Sequence, residues 1–158
     1  MGPGVVKVYR FSAPQRARDL SGRGAELYGG RWNAVGTPAL YAAANPSLAL
    51  LEVLVNTPQR LLPPVLSLVT LDLPLKAEEV AGPDTEQLPK AWRSHPAPAE
   101  LTALGQNWLQ KGAQLIWKVP SAVLPVEHNY LINPRHPRAG ELKIEAVRAI
   151  NPDPRMQT

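Results

Sequence analysis

The chain contains no cysteine, which excludes disulfides, thiolate nucleophiles, iron–sulfur clusters and cysteine-ligated zinc. Its three histidines, His95, His128 and His136, have a spacing that fits no common zinc motif, so we expect no metal site. No run of about 18 uncharged apolar residues is present, and the sequence therefore predicts no membrane span. The first residues lack the basic and long apolar regions of a secretion signal. We therefore expect a cytoplasmic protein.

Three common motifs of enzymes and nucleotide-binding proteins are also missing. The chain has neither a phosphate-binding G-x-x-x-x-G-K-[ST] loop nor the G-x-S-x-G of serine hydrolases. The nearest approach to a dinucleotide fingerprint is Gly22-x-Gly24, but Leu27 stands where the third glycine is needed. Any nucleotide must therefore be bound without these glycine-rich loops.

What is present is typical of one folded domain. The 158 residues are 44% hydrophobic and 19% charged, enough apolar sequence for a buried core. The net charge of +4 favours an anionic ligand but is too small to indicate nucleic-acid binding by itself. Eighteen prolines predict short elements joined by long ordered connections.

Hydrophobic patterns predict strands and helices in mixed order. The predicted strands are Val5–Phe11, Ala39–Ala42, Val65–Leu73, Gln114–Val119 and Leu142–Ile150, and the predicted helices run from Pro46 to about Val55 and from Ala99 to Lys111. In the second helix we expect Leu101, Leu104 and Trp108 on the buried stripe, with Gly112 as the stop. Residues 12–30 predict a long loop, residues 74–96 irregular surface and residues 151–158 a frayed tail. Because the order lacks regular βαβ alternation, residues 1–158 predict a single α+β domain.

Glu52 is the one carboxylate in the helix that begins at Pro46, after a capping Asn45. Helical spacing puts it on a stripe with Leu48, Leu51 and Val55. A helix that is apolar on every side is normally buried, so Glu52 must find a cation, hydrogen-bond donors or a proton. Two interpretations stay open: a structural ion pair or surface glutamate, and a catalytic carboxylate in a cleft.

Two arginines and one tyrosine are candidate neighbours of Glu52. Arg10 ends the first predicted strand on its apolar face, and Arg31 follows two glycines that permit unusual backbone angles and close approach of a ligand. Each arginine suits either a salt bridge to Glu52 or a phosphate group. Tyr41 suits either core packing or stacking on a heteroaromatic ring. Ser121, in a Pro-Ser turn, carries little signal alone.

Six pieces of sequence, in order between residues 9 and 137, resemble the RES domain family, which is named for its Arg, Glu and Ser. The pieces are Tyr9-Arg10-Phe11, Gly29-Gly30-Arg31-Trp32-Asn33, Ala39-Leu40-Tyr41, Ser47-Leu48-Ala49-Leu50-Leu51-Glu52, Val119-Pro120-Ser121, and Asn129 to Pro134 with His136-Pro137. The resemblance covers nearly the whole predicted domain. The segment 74–96 has no counterpart among these pieces.

The resemblance implies a fold and an activity. The fold is expected to be similar to ADP-ribosyltransferases, with a mixed sheet core and flanking helices. The family looks like a toxin class of bacterial type II toxin–antitoxin pairs that degrades NAD+ at the nicotinamide–ribose bond, by hydrolysis or phosphorolysis. The implied partner is an Xre-like helix-turn-helix antitoxin that occludes the active site and represses the operon.

The resemblance also implies residue roles. It makes Arg31, Tyr41 and Glu52 the transferase-like catalytic set, and it places Arg10, Ser121 and Asn129 in the NAD pocket. Glu52 would stabilise the ribosyl cation, the arginines would hold the pyrophosphate and Tyr41 would stack on nicotinamide.

Three other functions remain open at this point. A protein mono-ADP-ribosyltransferase would use the same site with a protein acceptor. A nucleic-acid-binding or RNase-type toxin would use the basic run Arg135-His136-Pro137-Arg138. A non-catalytic interaction module would turn over no NAD+ at all.

Overall fold

A computed structural model describes residues 4–75 and 82–157, and its central feature is an antiparallel sheet. Within these residues six strands pair in the order β4-β5-β2-β1-β3-β6. The strands are β1 (Gly4–Ser12), β2 (Leu40–Ala43), β3 (Leu66–Leu75), β4 (Ile116–Pro120), β5 (His128–Ile132) and β6 (Lys143–Ile150). The α+β fold is confirmed, although every pairing is antiparallel rather than mixed.

Strand β1 is one of the two central strands of the sheet, between β2 and β3, and it pairs with β3 along its whole length, from Gly4↔Leu75 to Ser12↔Ser67. Its Val8 is fully buried in the main core cluster, and Val6 packs against the same cluster. The next residue on that face, Arg10, is half-buried at the end of the strand. Because alternate residues of a strand share one face, Arg10 lies on the same face as Val6 and Val8, at the border of the buried part of that face.

In the part of the chain that the structure describes, three α-helices flank the sheet: α1 (Arg23–Tyr28), α2 (Pro46–Asn56) and α3 (Ala99–Lys111). The predicted cap of α2 is present, since the Asn45 side chain accepts a hydrogen bond of 2.8 Å from the backbone N–H of Leu48. Leu48 and Ala49 bury one face of α2 against β1 and β2. The expectation that α2 is buried all round is wrong, because Leu51 and Val55 are 36% and 58% exposed.

Helix α3 has the predicted bounds and ends at Gly112, whose φ of +62° is the left-handed conformation of a helix stop. Its buried residues are Leu101, Gly105 and Leu109, while Leu104 is 39% exposed. The predicted stripe is thus confirmed at Leu101 and at Trp108, which packs partly buried against a core cluster, and is wrong at Leu104. The reason is Gly105, which lets the helix backbone approach Trp32 so closely that a Cβ there would lie 2.0 Å from the Trp32 carbonyl oxygen.

Four further predictions differ from the structure. The predicted loop 12–30 contains α1, and the predicted frayed tail contains a short 3-10 turn and a buried Pro152. No strand was predicted where β5 lies. Of the segment 74–96, residues 76–81 lie outside the described residues, and the remainder includes buried Leu88. In the described part of the chain, no helix has the length and apolar character needed to cross a membrane.

Candidate active site

A cleft of about 1000 Å³ opens where β1, β2 and α2 meet the loops after α1 and β4 and the segment before α3. Five of the six residues predicted for the site line this cleft: Arg10, Arg31, Tyr41, Glu52 and Asn129. The sixth, Ser121, has no exposed surface and lies behind Glu52. All six predicted residues therefore converge on one place in the fold.

Glu52 is held at one of its two carboxylate oxygens. Oε1 accepts a hydrogen bond of 2.8 Å from Ser121 Oγ and one of 2.7 Å from Asn129 Nδ2. Oε2 accepts none from any residue that the structure describes, and the half-buried side chain lines the cleft. The carboxylate is thus fixed through Oε1, which leaves Oε2 for a ligand.

The strand register explains this convergence. Asn129 on β5 lies opposite Ala43 of β2 and opposite Val119 of β4. Ala43 is three residues before the start of α2, which carries Glu52, and Val119 is two residues before Ser121. The sheet therefore brings one hydrogen-bond donor from β5 and one from the turn directly after β4 to the same carboxylate.

Ser121 connects the turn after β4 to the carboxylate. Its Oγ accepts hydrogen bonds of 3.1 Å from the backbone N–H groups of Val123 and Leu124 while it donates to Glu52. Asn129 is oriented by the same carboxylate, because a carboxylate accepts but does not donate. Its Oδ1 is buried and has no partner among the described residues. In this orientation Nδ2 donates to Glu52, and the cost is one buried oxygen without a hydrogen bond from the described residues.

Tyr41 supports the loop that carries Arg31. Its hydroxyl accepts a hydrogen bond of 3.0 Å from the Trp32 N–H and donates one of 2.6 Å to Asn33 Oδ1. Burial raises the pKa of Tyr41, so the hydroxyl stays protonated at neutral pH. A Cβ at Gly30 would lie 2.7 Å from this hydroxyl. The sequence predicted that these glycines let a ligand approach the backbone closely. In the structure it is the Tyr41 hydroxyl that approaches Gly30 closely.

Arg31 is bound to the segment before α3. Its Nη1 donates to the backbone carbonyls of Trp92 at 2.8 Å and Ser94 at 3.0 Å. It makes no ion pair with Glu52 within 4.0 Å, although the carboxylate attracts it. Burial lowers the pKa of Arg31 against that attraction. The guanidinium is thus partly desolvated, and no carboxylate of the described residues is in contact with it.

Arg10 is similar in character. Its Nη1 makes two long hydrogen bonds, 3.5 Å to the Ala17 carbonyl and 3.3 Å to the Asp19 carbonyl. Burial lowers the pKa of Arg10, with a smaller opposing effect of the Asp19 carboxylate. Like Arg31, it has no carboxylate within salt-bridge distance among the described residues. Desolvated cations without an anionic partner favour binding of an anion.

Sequence reasoning missed three side chains that also line the cleft: Tyr28, Arg93 and His95. Tyr28 ends α1 directly before the glycine pair and is 79% exposed. The sequence feature that could have identified Tyr28 as a site residue is its position directly before Gly29-Gly30-Arg31. Arg93 and His95 lie in the segment 74–96, where neither periodicity nor resemblance gave a signal. Within the described residues, no group of three or more His, Asp or Glu side chains is placed to hold a metal ion.

The model of the RES domain family matches residues 7–156. The chain belongs to the RES domain family. This confirms the resemblance predicted from the six sequence pieces, which together supply much of the cleft wall of this RES domain.

Relatives of this RES domain are named as toxins. It is 42% identical over 143 residues to "Prs ADP-ribosylating toxin" of Sphingobium sp. (strain YBL2), which covers 89% of this chain and 88% of the relative. It is 39% identical over 142 residues to "Toxin Res" of Pseudomonas putida, covering 87% of this chain and 92% of the relative. Similarity therefore extends over most of both chains.

The fold of this RES domain is similar to a chain in the crystal structure of the M. tuberculosis MbcT-MbcA toxin–antitoxin complex. The TM-score is 0.76 at 21% identity, with 95% of this chain and 86% of the other chain covered. At this identity the likeness shows a shared fold, and function must be argued from the site.

Proposed function

We propose that this RES domain is the toxin of a bacterial toxin–antitoxin pair and that it cleaves NAD+ at the bond between nicotinamide and ribose. The observation that carries the proposal is the arrangement at Glu52. One carboxylate oxygen is held by Ser121 and Asn129, and the other is open to a cleft that also contains arginines without carboxylate partners.

The chemistry needs only one carboxylate. When the nicotinamide–ribose bond breaks, its electron pair goes to the nicotinamide nitrogen, and nicotinamide leaves as a neutral molecule without a general acid. Positive charge develops on the ribose, and Glu52 stabilises it through the oxygen that faces the cleft. A water oxygen then bonds to the anomeric carbon and releases a proton to give ADP-ribose. With phosphate as the nucleophile, the product is ADP-ribose 1″-phosphate.

The arginines supply the anion-binding half of the site. The pyrophosphate of NAD+ carries two negative charges, which suits the desolvated guanidinium groups of Arg10 and Arg31. Because the hydroxyl of Tyr41 is already engaged with Trp32 and Asn33, we assign it the task of holding the Arg31 loop while its ring forms part of the cleft wall. The exposed ring of Tyr28 is available to stack on a heteroaromatic base.

The relatives' names and the shared fold support an antitoxin partner, and the Xre-like type is what the family resemblance implies. The relatives are named as toxins, and the structural neighbour comes from a toxin–antitoxin complex. We therefore propose that an Xre-like helix-turn-helix antitoxin binds this chain in the cytoplasm and covers the cleft. A nucleic-acid role for the basic run is not favoured, because Arg135 and Arg138 face the carboxylates of Glu26 and Glu141.

The deciding experiment measures nicotinamide release from NAD+ by the purified chain, freed of any bound antitoxin, with and without phosphate. We expect release by the wild-type chain, with ADP-ribose or ADP-ribose 1″-phosphate as the second product, and none by the matched Glu52→Gln protein. If the folded wild-type chain leaves NAD+ intact under both conditions, the proposed activity is wrong.

One observation favours a second candidate, transfer of ADP-ribose to a protein. The Sphingobium relative, at 42% identity, carries the name of an ADP-ribosylating toxin. The same half-reaction at Glu52 would then end with a nucleophilic side chain of the acceptor at the anomeric carbon. Incubation with labelled NAD+ and a bacterial lysate separates the two candidates. Label on a protein band that requires Glu52 supports transfer, and label only in small molecules supports NAD+ degradation.

A further inference from the structure

Arg31 holds the segment before α3 against the cleft. Its Nη1 binds the carbonyls of Trp92 and Ser94, the residues on either side of Arg93. The Thr102 hydroxyl of α3 in turn donates a hydrogen bond of 3.0 Å to the Arg31 carbonyl. Residue 93 is therefore anchored on both sides, and its side chain and that of His95 line the cleft.

The Arg93 guanidinium is only partly used by the protein. Its Nε donates a hydrogen bond of 3.1 Å to the carbonyl of Ala122, in the turn that begins at Ser121. Within the described ranges, Nη1 and Nη2 have no acceptor, and no carboxylate lies within 4.0 Å of the side chain. The Arg93 side chain is exposed at the cleft, unlike Arg23, whose guanidinium is paired with Glu26 outside it. The two terminal nitrogens of Arg93, with four N–H donors, are thus without an acceptor among the described residues, in the geometry that suits a phosphate group.

Charge supports the same conclusion. Three arginines line the cleft, Arg10, Arg31 and Arg93, against one carboxylate, that of Glu52. None of the three makes a salt bridge with a described residue. His95 is exposed beside Arg93 and adds a further ring nitrogen that can bind a phosphate oxygen. Neighbouring cations that line one cleft without internal partners repel each other until an anion is bound.

We propose that Arg93 and His95 form a phosphate-binding subsite of the cleft. The proposal rests on the proposed function and adds the residues that recognise a phosphate group near the turn behind Glu52. Two sources share this chemistry: the pyrophosphate of NAD+, and free inorganic phosphate that attacks the ribosyl carbon in place of water. Arg31 is then a positioning residue for the subsite as well as part of the cleft wall.

The test compares Arg93→Gln and His95→Gln with the wild-type chain. Arg148→Gln is the matched control, since Arg148 is an exposed arginine on β6 that does not line the cleft. Initial rates of nicotinamide release are measured against NAD+ without phosphate, and then against phosphate at saturating NAD+. We expect one of the two KM values to rise about tenfold or more in Arg93→Gln, less in His95→Gln and not at all in Arg148→Gln.

The two KM measurements distinguish the two sources of the phosphate group. A higher KM for NAD+ in the absence of phosphate assigns the subsite to the pyrophosphate of the substrate, and a higher KM for phosphate alone assigns it to the attacking anion. If Arg93 only clamps the turn at Ala122, kcat falls while both KM values stay unchanged, and His95→Gln behaves as wild type. That result would overturn the subsite.

A binding measurement keeps this inference separate from the proposed activity. Calorimetric titration with ADP, with inorganic pyrophosphate and with inorganic phosphate needs no turnover, so it applies even if the chain releases no nicotinamide. We expect weaker binding in Arg93→Gln and His95→Gln than in Arg148→Gln. Equal affinity in all variants, or a wild-type chain that binds none of the three anions, shows that the subsite does not exist. Because His95 has no hydrogen-bond partner among the described residues, His95→Gln tests the subsite even if Arg93→Gln fails to fold.

Discussion

The hydroxyl of Ser121, which has no exposed surface, donates a hydrogen bond of 2.8 Å to Oε1 of Glu52. A serine directly after β4 thereby fixes a carboxylate on α2, across 69 residues of chain. The contact lies behind the cleft wall, so it acts on the orientation of Glu52 and leaves the face toward the cleft open. This separates the group that is proposed to meet the substrate from the group that holds it.

Ser121→Ala tests this separation. We expect kcat for NAD+ cleavage to fall by on the order of a hundredfold, because the carboxylate loses one of its two donors and moves in the cleft. The KM for NAD+ should change little, since Ser121 does not line the cleft. The free energy of unfolding should also fall, by about 1–3 kcal/mol, because the N–H groups of Val123 and Leu124 lose their acceptor. Steady-state kinetics and denaturant unfolding measure the two effects.

The matched control is Ser47→Ala, at an exposed serine on α2 outside the cleft. It should leave both kcat and stability close to the wild-type values. A Ser121→Ala protein with an unchanged kcat would show that Ser121 does not position Glu52. A large rise in KM would instead assign Ser121 to direct contact with the substrate.

Glu52→Gln removes the negative charge while it keeps the shape of the side chain. We expect the rate of nicotinamide release to fall by about 10²–10³, or ~2.7–4 kcal/mol of transition-state stabilisation. The fold should persist, because the side chain is half-buried at the cleft surface. Circular dichroism checks the fold. A Glu52→Gln protein that degrades NAD+ at the wild-type rate would exclude Glu52 as the catalytic group.

Tyr41→Phe tests the loop that carries Arg31. Loss of the hydroxyl leaves the N–H of Trp32 and the side-chain oxygen of Asn33 without their partner. Both residues are almost fully buried, so we expect a loss of about 1–3 kcal/mol in the free energy of unfolding. The melting temperature should fall by about 2–4 °C for each kcal/mol. If Tyr41 acted only by stacking its ring on nicotinamide, the Phe variant would keep wild-type stability and activity.

Much of the fold was predictable from local signals. The Asn45-Pro46 cap, the Gly112 stop and the β-branched run in β1 each act within a few residues, and the structure has elements at all three places. Strand β5 was missed because His128, Asn129 and the buried residues after them do not alternate in polarity. That strand lies between β4 and β2. Its pairing with both comes from the tertiary fold, which local propensity does not describe.

The site was predictable for a different reason. Glu52 is conspicuous as the one acid in an apolar helix, and the family resemblance supplied Arg10, Arg31, Tyr41, Ser121 and Asn129. Neither source predicts which of these residues line the cleft and which hold another side chain in place. The hydrogen bond between Ser121 and Glu52, for example, depends on the β4–β5–β2 register. Arg93 was not predicted for a similar reason. Its segment is placed at the cleft by contacts with residues far away in the sequence, those of Arg31 with the Trp92 and Ser94 carbonyls and that of Arg93 with the Ala122 carbonyl.

Gly105→Ala tests whether α3 supports the site from behind. The added Cβ would lie 2.0 Å from the Trp32 carbonyl oxygen and 2.7 Å from the Trp32 carbonyl carbon, so helix and loop must separate. Such overpacking typically costs about 1–3 kcal/mol. The displaced loop carries Arg31, whose carbonyl is bound by Thr102 of the same helix. We therefore expect a lower melting temperature together with a higher KM for NAD+.

Gly140→Ala is the matched control for this change, because Gly140 is exposed and a Cβ there would meet nothing within 4 Å. It should leave both the melting temperature and the KM unchanged. A Gly105→Ala protein that loses stability but keeps the wild-type KM would show that the Arg31 loop holds its position without α3. In that case the bonds of Tyr41 to Trp32 and Asn33 would be sufficient to place Arg31, and Tyr41→Phe would be the variant that raises the KM.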